Sequence, residues 1–446
     1  MWVEEITLDN IKLFAKTTPL RFVRRKGEPY RWVTLLGENG GGKSTVLQAL
    51  ALALAGPESA QKLCPSPVAW LHDEARAGRI GVRIHQDEGD SGRHGQEKVA
   101  RAFGYSLHVT GSKPLTVNNR RYSEPAVVER GGDKRLGWLR SNAFAPDSLG
   151  WFAAGYGPFR RLTREVRTFL PSAGERPARF ENFLTQFNED EPLSTFEEWF
   201  FYLDYQTHKD REDEDARRRM ELAKQAVNAL LPEGTEYAGV TSEGRICFST
   251  CGQTVPTSSM SDGYRSILAL AGDLVFRLLA AFPDSETPLL EKGVVLIDEL
   301  DIHLHPVWQR DIAGCLRRWF PGLQFIVATH SPFIAAGAGE DARTLRLTAH
   351  DDGVRVEPVE NLHVRDVRDI LRSRAFGLVS TYSPETQDKL DRYDYLGEKG
   401  SGRTEAESRE HKQLSLFLHE ARPFGGPPPK GSLEARIDDY LAKTFR

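Results

Sequence analysis

The chain has 446 residues, 39% hydrophobic and 27% charged, with 59 Lys+Arg against 63 Asp+Glu. That length accommodates one large α/β domain with a smaller inserted or appended one, and the balanced charge excludes wholesale disorder and a globally basic nucleic-acid binder. No apolar run reaches the ~18 residues of a membrane span. The four cysteines, Cys64, Cys247, Cys251 and Cys315, form no CxxC pair, and the first residues enter a strand-like pattern without a leader, so a cytoplasmic protein with reduced thiols and no membrane partner is expected. Basic clusters at Arg21, Arg24, Arg25 and Lys26, at Arg160, Arg161, Arg164 and Arg167, and at Arg217 to Arg219 could bind phosphate backbones, but each alone reads more readily as a solvated face.

Trp2 to Ile11 alternates like a half-buried strand, and Tyr30 to Leu36 is a second strand running into a glycine cluster. A helix follows from Lys43 to Ala55, with Val46, Leu47, Leu50 and Leu54 on one face. From Gly78 to Val128, short alternating runs punctuated by Gly, Asp, Ser and Asn predict an antiparallel β subdomain. Residues 176–232 are charged and helical, a short insertion rather than a long coiled coil. After Ser258 come an apolar helix, a buried strand Val294–Ile297, a helix through Trp319 and a buried strand from Gln324 to Thr329; buried strands alternating with helices predict a parallel sheet covered on both faces. A hairpin at 344–347 and 354–359, further helices, a Gly/Pro linker at 425–431 and a last amphipathic helix at 433–445 complete the chain. The expected division is an N-terminal lobe at 1–175, an insertion with connecting strands at 176–257, a C-terminal lobe at 258–340 and a hairpin and helical tail at 341–446.

Gly37-Glu38-Asn39-Gly40-Gly41-Gly42-Lys43-Ser44-Thr45 fits the Walker A pattern and sits between strand and helix. Its glycines let successive N–H groups curl around phosphates, the helix N-terminus adds its positive end, Lys43 supplies a point charge and Ser44 offers a hydroxyl to Mg²⁺. Asn39, Gly40, Gly42, Lys43, Ser44 and Thr45 are therefore the expected ATP contacts. The strand Val294–Ile297 delivers Asp298, a second Mg²⁺ ligand, and Glu299, a general base for the attacking water, to the end of the sheet where ligands bind. A further strand places His330 beside the same edge, within reach of a γ-phosphate. Ser261 or Asp262 caps the helix that follows, and Gly263 permits close approach. His303 and His305 lack partners at metal-ligand spacing and read as packing at a helix start.

In this order, these motifs resemble the ABC/SMC/RecF-like ATPases, with Ser261-Asp-Gly-Tyr-Arg-Ser as a degenerate signature carrying Asp262 where a first glycine is usual. More narrowly, Tyr156-Gly-Pro-Phe-Arg-Arg, Asp298-Glu-Leu-Asp-Ile-His-Leu-His-Pro and Gln324-Phe-Ile-Val-Ala-Thr-His-Ser-Pro-Phe-Ile resemble the small AAA-labelled, ABC-type ATPases of bacterial anti-phage systems, the Septu and retron-associated ATPases. The resemblance implies an ABC-type α/β core with flanking antiparallel subdomain, helical insertion and helical tail. It implies a homodimer or higher oligomer in which Ser261 and Gly263 reach ATP held by the other copy, with Asp301 as the residue crossing the interface. The Tyr156–Arg161 segment falls where a glutamine-bearing loop is expected, without an obvious glutamine.

Two functions share every core residue: a nucleotide-gated ATPase of anti-phage defence working with a separately encoded effector, a nuclease, and a RecF/SMC-like clamp closing on DNA in repair or chromosome maintenance. An intrinsic nuclease is not expected, because His350-Asp-Asp, Asp388, Asp391, Asp394, His411 and His419 form no metal frame. A transporter subunit and a small-molecule kinase fit the motif set less well.

Overall fold

The computed structural model describes residues 1–24, 27–87, 90, 102–117, 120–129, 134–145, 150–162, 178–193, 195–210, 213–231, 234–241, 245–250, 252–378 and 380–421. Arg25, Lys26, Arg164, Arg167, Cys251, the linker and the helix at 433–445 lie outside them. Two compact units divide at Gly377/Leu378.

In the first unit, β1 (Trp2–Asp9), β2 (Thr18–Arg21) and β3 (Trp32–Leu36) lead into α1 (Lys43–Ala55) and α2 (Pro57–Leu63). Then follow β4 (Gly78–His85), β5 (Ala102–Thr110), β6 (Leu115–Val117), β7 (Arg120–Tyr122), β8 (Ala126–Glu129), α3 (Lys134–Ser141) and β9 (Phe152–Tyr156). The insertion holds α4 (Leu184–Phe187), α5 (Thr195–Lys209), α6 (Glu214–Leu230) and the strands β10 (Thr235–Val240), β11 (Ile246–Thr250) and β12 (Gln253–Pro256). The remainder is α7 (Asp262–Ala281), β13 (Gly293–Ile297), α8 (Pro306–Trp319), β14 (Leu323–Ala328), α9 (Pro332–Gly337), β15 (Ala342–His350), β16 (Gly353–Val359) and α10 (Val367–Arg372).

The main sheet runs β16-β15-β3-β14-β13-β9, with β15, β3, β14, β13 and β9 parallel and β16 antiparallel at one edge. A second, antiparallel sheet runs β2-β1-β4-β5-β8. Period-two alternation splits the apolar side chains of the main sheet between two cores. Val33, Leu35, Val294, Leu296 and Ile326 join α1 and the antiparallel sheet; Trp32, Val295, Ile297, Phe325 and Val327 join α5, α6, α7 and α8. The insertion thus shares a core with α7: a side chain at Gly272 would strike the Phe196 ring. The hairpin expected at 344–359 extends the main sheet, since β15 pairs in parallel with β3 at Thr344↔Thr34. Among the described residues, no helix is long and apolar enough to cross a membrane.

Gln324, fully buried in β14, joins the two sheets: its side-chain oxygen accepts from Val3 N at 2.7 Å, and its amide donates to Val3 O at 3.1 Å and Tyr30 O at 3.3 Å. Gln324→Leu, close in size, strands the buried N–H and C=O of Val3, and each such group costs about 1–3 kcal/mol. The variant is expected to lose about 3 kcal/mol in urea unfolding; a change under about 0.5 kcal/mol, the range of an ordinary surface substitution, overturns this account.

In the second unit, α11 (Pro384–Glu398) and α12 (Glu405–Ala421) lie antiparallel, joined by Arg392–Glu410 and Lys399–Glu407 ion pairs and a Tyr393–His411 stack. Every one of these contacts is at the surface, where such pairs stabilise little.

Candidate nucleotide site

The loop between β3 and α1 needs its glycines for two different reasons. Gly42, at φ 91°, lies in the left-handed region, with Phe14 3.0 Å from where a Cβ would stand. Gly37 passes so close to the Leu347 carbonyl that a Cβ would overlap it. The curled backbone exposes Asn39 and Gly40 and opens α1 directly at Lys43 and Ser44. Lys43 Nζ donates to the carbonyls of Gly37 at 2.9 Å and Glu38 at 3.0 Å. Burial lowers its pKa, against the pull of Asp298, Glu299 and Asp301.

Strand order brings the acids to this loop. β14 lies between β3 and β13, so the ends of three parallel strands present the glycine loop, Thr329-His330 and Asp298-Glu299 side by side. Asp298 is buried, which raises its carboxyl pKa, while a hydrogen bond from Ser44 and the charge of Lys43 lower it. Its Oδ1 is buried without a hydrogen-bond partner. Glu299 stands at φ 44°, a left-handed conformation that is strained for a side-chain-bearing residue. Burial raises its pKa first, then Asp298 and Asp301, with Lys43 and Arg160 opposing.

Asp301 accepts from Thr329 Oγ1 and, at 3.2 Å, from His330 N, fixing the loop that carries the histidine. Burial and the neighbouring Lys43 lower the His330 pKa, favouring neutral imidazole. A cavity of 320 Å³ is lined by Asn39, Gly40, Gly41, Gly42, Lys43, Ser44, Thr45, Glu299 and His330, together with Lys12 and Leu13. Sequence reading missed the last two. Lys12 stands at φ 45°, its Nζ 3.2 Å from Gln48 Oε1 and 4.5 Å from the Trp70 ring centre.

Ser261 and Gly263 are not among these lining residues. Ser261 begins α7 exposed and without a side-chain cap bond, so the expected capping by Ser261 is absent; Asp262 pairs with Arg265 at 3.5 Å. A Cβ on Gly263 would lie 2.5 Å from the His303 carbonyl, which explains the glycine. His305 caps α8, accepting from Val307 N at 3.4 Å, as packing at a helix start requires.

The basic clusters divide. Arg21 pairs with Glu5, Arg24 with Asp341, and Arg218 and Arg219 with Asp215 on exposed faces. Arg160 contradicts the solvated reading: it is 4% exposed and bonded into the turn at Asp298. Gln186 was also missed. It is buried beside Gly155, where a Cβ would overlap its Oε1, and neither amide atom has a hydrogen-bond partner. Its backbone carbonyl accepts from Gln48 of α1 at 2.7 Å.

A glycine loop opening α1, an acidic pair at the end of β13 two strands away, and a serine-glycine start to α7 form an arrangement similar to that of the ABC/SMC-like P-loop ATPases. A family model described as "AAA domain, putative AbiEii toxin, Type IV TA system" matches residues 119–336, a span that includes Arg160, Gly263, Glu299 and His330 and excludes the glycine loop. The chain is 27% identical over 445 residues to "Septu protein PtuA" of Bacillus mycoides (strain KBAB4), covering 99% of this chain and 54% of that protein. It is 24% identical over 382 residues to "Retron Vc95 probable ATPase" of Vibrio cholerae serotype O1 biovar El Tor, covering 74% and 71% respectively. It thus spans about half the length of the first of these relatives and under three quarters of the second. A solved SMC head bound to the C-winged helix domain of ScpA aligns over 82% of this chain at 16% identity and TM-score 0.49.

Proposed function

We propose that the chain binds ATP with Mg²⁺, hydrolyses it within a homodimer or higher oligomer, and acts in the cytoplasm as a nucleotide-gated regulator in bacterial anti-phage defence, working with a separate effector, a nuclease. The observation that carries the ATPase reading is the convergence of Lys43, Ser44, Glu299 and His330 on one cavity, with Asp298 bonded to Ser44 behind it. The defence reading is supported by the likeness to Septu and retron ATPases over most of this chain.

The Ser44 hydroxyl and the orphaned Asp298 Oδ1 suit a hard divalent cation; Mg²⁺ there would neutralise charge on the β- and γ-phosphate oxygens. Lys43, already held by two carbonyls, meets the phosphates without reorganising. Glu299 takes the proton of the attacking water, and His330, neutral, donates a hydrogen bond to the γ-phosphate. Ser261 and Gly263 complete the site of the second copy, and Asp301 holds Thr329 and His330 at the interface.

Gly263→Ala tests the trans contact. The added methyl displaces the His303 carbonyl, and a shift of about 1 Å at a catalytic interface costs about 100-fold in turnover. ATP affinity of the monomer is expected to stay within about threefold, because Gly263 does not line its cavity. Wild-type turnover in this variant removes the trans role.

The partner is tested by affinity purification of tagged Glu299→Gln protein from its host. A co-purifying nuclease whose cutting depends on the ATP state of this chain supports the defence reading. DNA recovered with repair proteins and no effector replaces it with a RecF/SMC-like clamp.

A further inference from the structure

We infer that Arg160 is a positioning residue that fixes Glu299 for catalysis and ties that position to the start of α7; the inference rests on the ATPase reading above. The guanidinium carries five N–H donors, and Arg160 directs them at five acceptors. Nε faces Ser266 Oγ at 3.2 Å; Nη1 faces the carbonyls of Gly157 at 2.9 Å and Asp298 at 2.8 Å; Nη2 faces those of Glu299 at 3.1 Å and Leu300 at 3.4 Å. Three successive carbonyls of the turn that carries the base are thereby held by one rigid fork. That turn includes the strained backbone of Glu299, and such strain persists only where the surroundings over-determine it.

The choice of Arg at a buried place asks for a reason, because burying a cation is costly. Among the described residues Arg160 makes no ion pair; its five contacts are all hydrogen bonds to neutral oxygens. Burial pushes its pKa down to about 10, with Asp298, Asp301 and Glu299 resisting, so the fork stays charged at neutral pH. A charged fork bonds to carbonyls more strongly than a neutral donor would.

Ser266 supplies the second half of the inference. It lies on α7 one turn beyond Gly263, buried, with Arg160 as its bridge to the turn of the base. The same turn region returns at His303, whose carbonyl abuts Gly263. A movement of the α7 N-terminus, the element expected to meet the second copy's nucleotide, is therefore carried to Glu299 through one side chain.

Arg160→Lys keeps the charge and loses the fork, since an ammonium presents donors from a single point. Turnover is expected to fall about 100-fold, while the dissociation constant for Mg·ATP, read by equilibrium binding to the purified full chain, stays within about threefold. Ser266→Ala, which removes one hydroxyl, is expected to lower turnover about threefold to tenfold with the same unchanged affinity. Wild-type turnover in a folded Arg160→Lys, or a loss of ATP affinity matching the loss of turnover, overturns the inference. Should Arg160→Lys not fold, Ser266→Ala decides it alone, and wild-type turnover there overturns it. Failure of the underlying reading looks different: the wild-type chain then shows no turnover, or Glu299→Gln turns over as the wild type does.

Discussion

Lys43→Ala is expected to weaken ATP binding about 100-fold or more and to abolish measurable hydrolysis. Nζ sits inside the loop, bonded to the carbonyls of Gly37 and Glu38, so it is positioned before any phosphate arrives. A charge-assisted hydrogen bond is worth about 1.5–3 kcal/mol, and 2.7 kcal/mol corresponds to about 100-fold in affinity. The buried ammonium also offsets the carboxylates of Asp298, Glu299 and Asp301, whose charges act on it directly. Without it, three acids face a polyanion with no cation of the loop between them. Titration calorimetry with Mg·ATP checks the first effect. An affinity within threefold of the wild type would show that this cavity is not where ATP binds. Thermal unfolding should change little in the absence of nucleotide, since Gly37 is only half-buried and Glu38 is exposed, leaving the two released carbonyls in reach of water.

The glycine loop was legible because its chemistry is local: nine consecutive residues carry the backbone curl, the cation and the hydroxyl. The acids were legible for a related reason. Val294–Ile297 is apolar on both faces, so the two charged residues that follow must leave the core together at the strand end. Strand partners were less visible. The β15 pattern of half-buried and buried residues suits a hairpin with β16, and nothing local says that its other edge pairs with β3, three hundred residues earlier in the chain. Long-range pairing of that kind is set by the whole sheet rather than by any segment.

Arg160 shows the same limit at a single residue. Within its own stretch it is one of four arginines, and such a run reads as a solvated face. Its acceptors at Asp298, Glu299 and Leu300 lie 138 to 140 positions away. The pairing Tyr156-Gly157 did hold a signal: a side chain at Gly157 would overlap the Thr185 carbonyl, so the glycine directly after β9 marks a crowded backbone. Lys12 and Leu13 were hidden differently. They sit in the loop between β1 and β2, where Lys12 stands at φ 45°, and only folding brings that loop to the glycine cluster.

Glu299→Gln is expected to cut hydrolysis by about 100- to 10,000-fold, the range for loss of a general base, while ATP binding is kept or strengthened. Gln has the shape of Glu and the same left-handed backbone penalty, so the strained turn and the Arg160 bonds to its carbonyls are retained. What disappears is one negative charge beside Asp298 and Asp301. Fewer carboxylates facing the phosphates means less repulsion, so the ATP-bound assembly should accumulate rather than turn over. Light scattering on the full chain should then show a dimer or larger species with Mg·ATP and a smaller one with Mg·ADP. Two results would count against this account in separate ways. Turnover equal to the wild type removes Glu299 as base and leaves the cavity intact; a mass that does not respond to nucleotide removes the shared site and leaves the base in place.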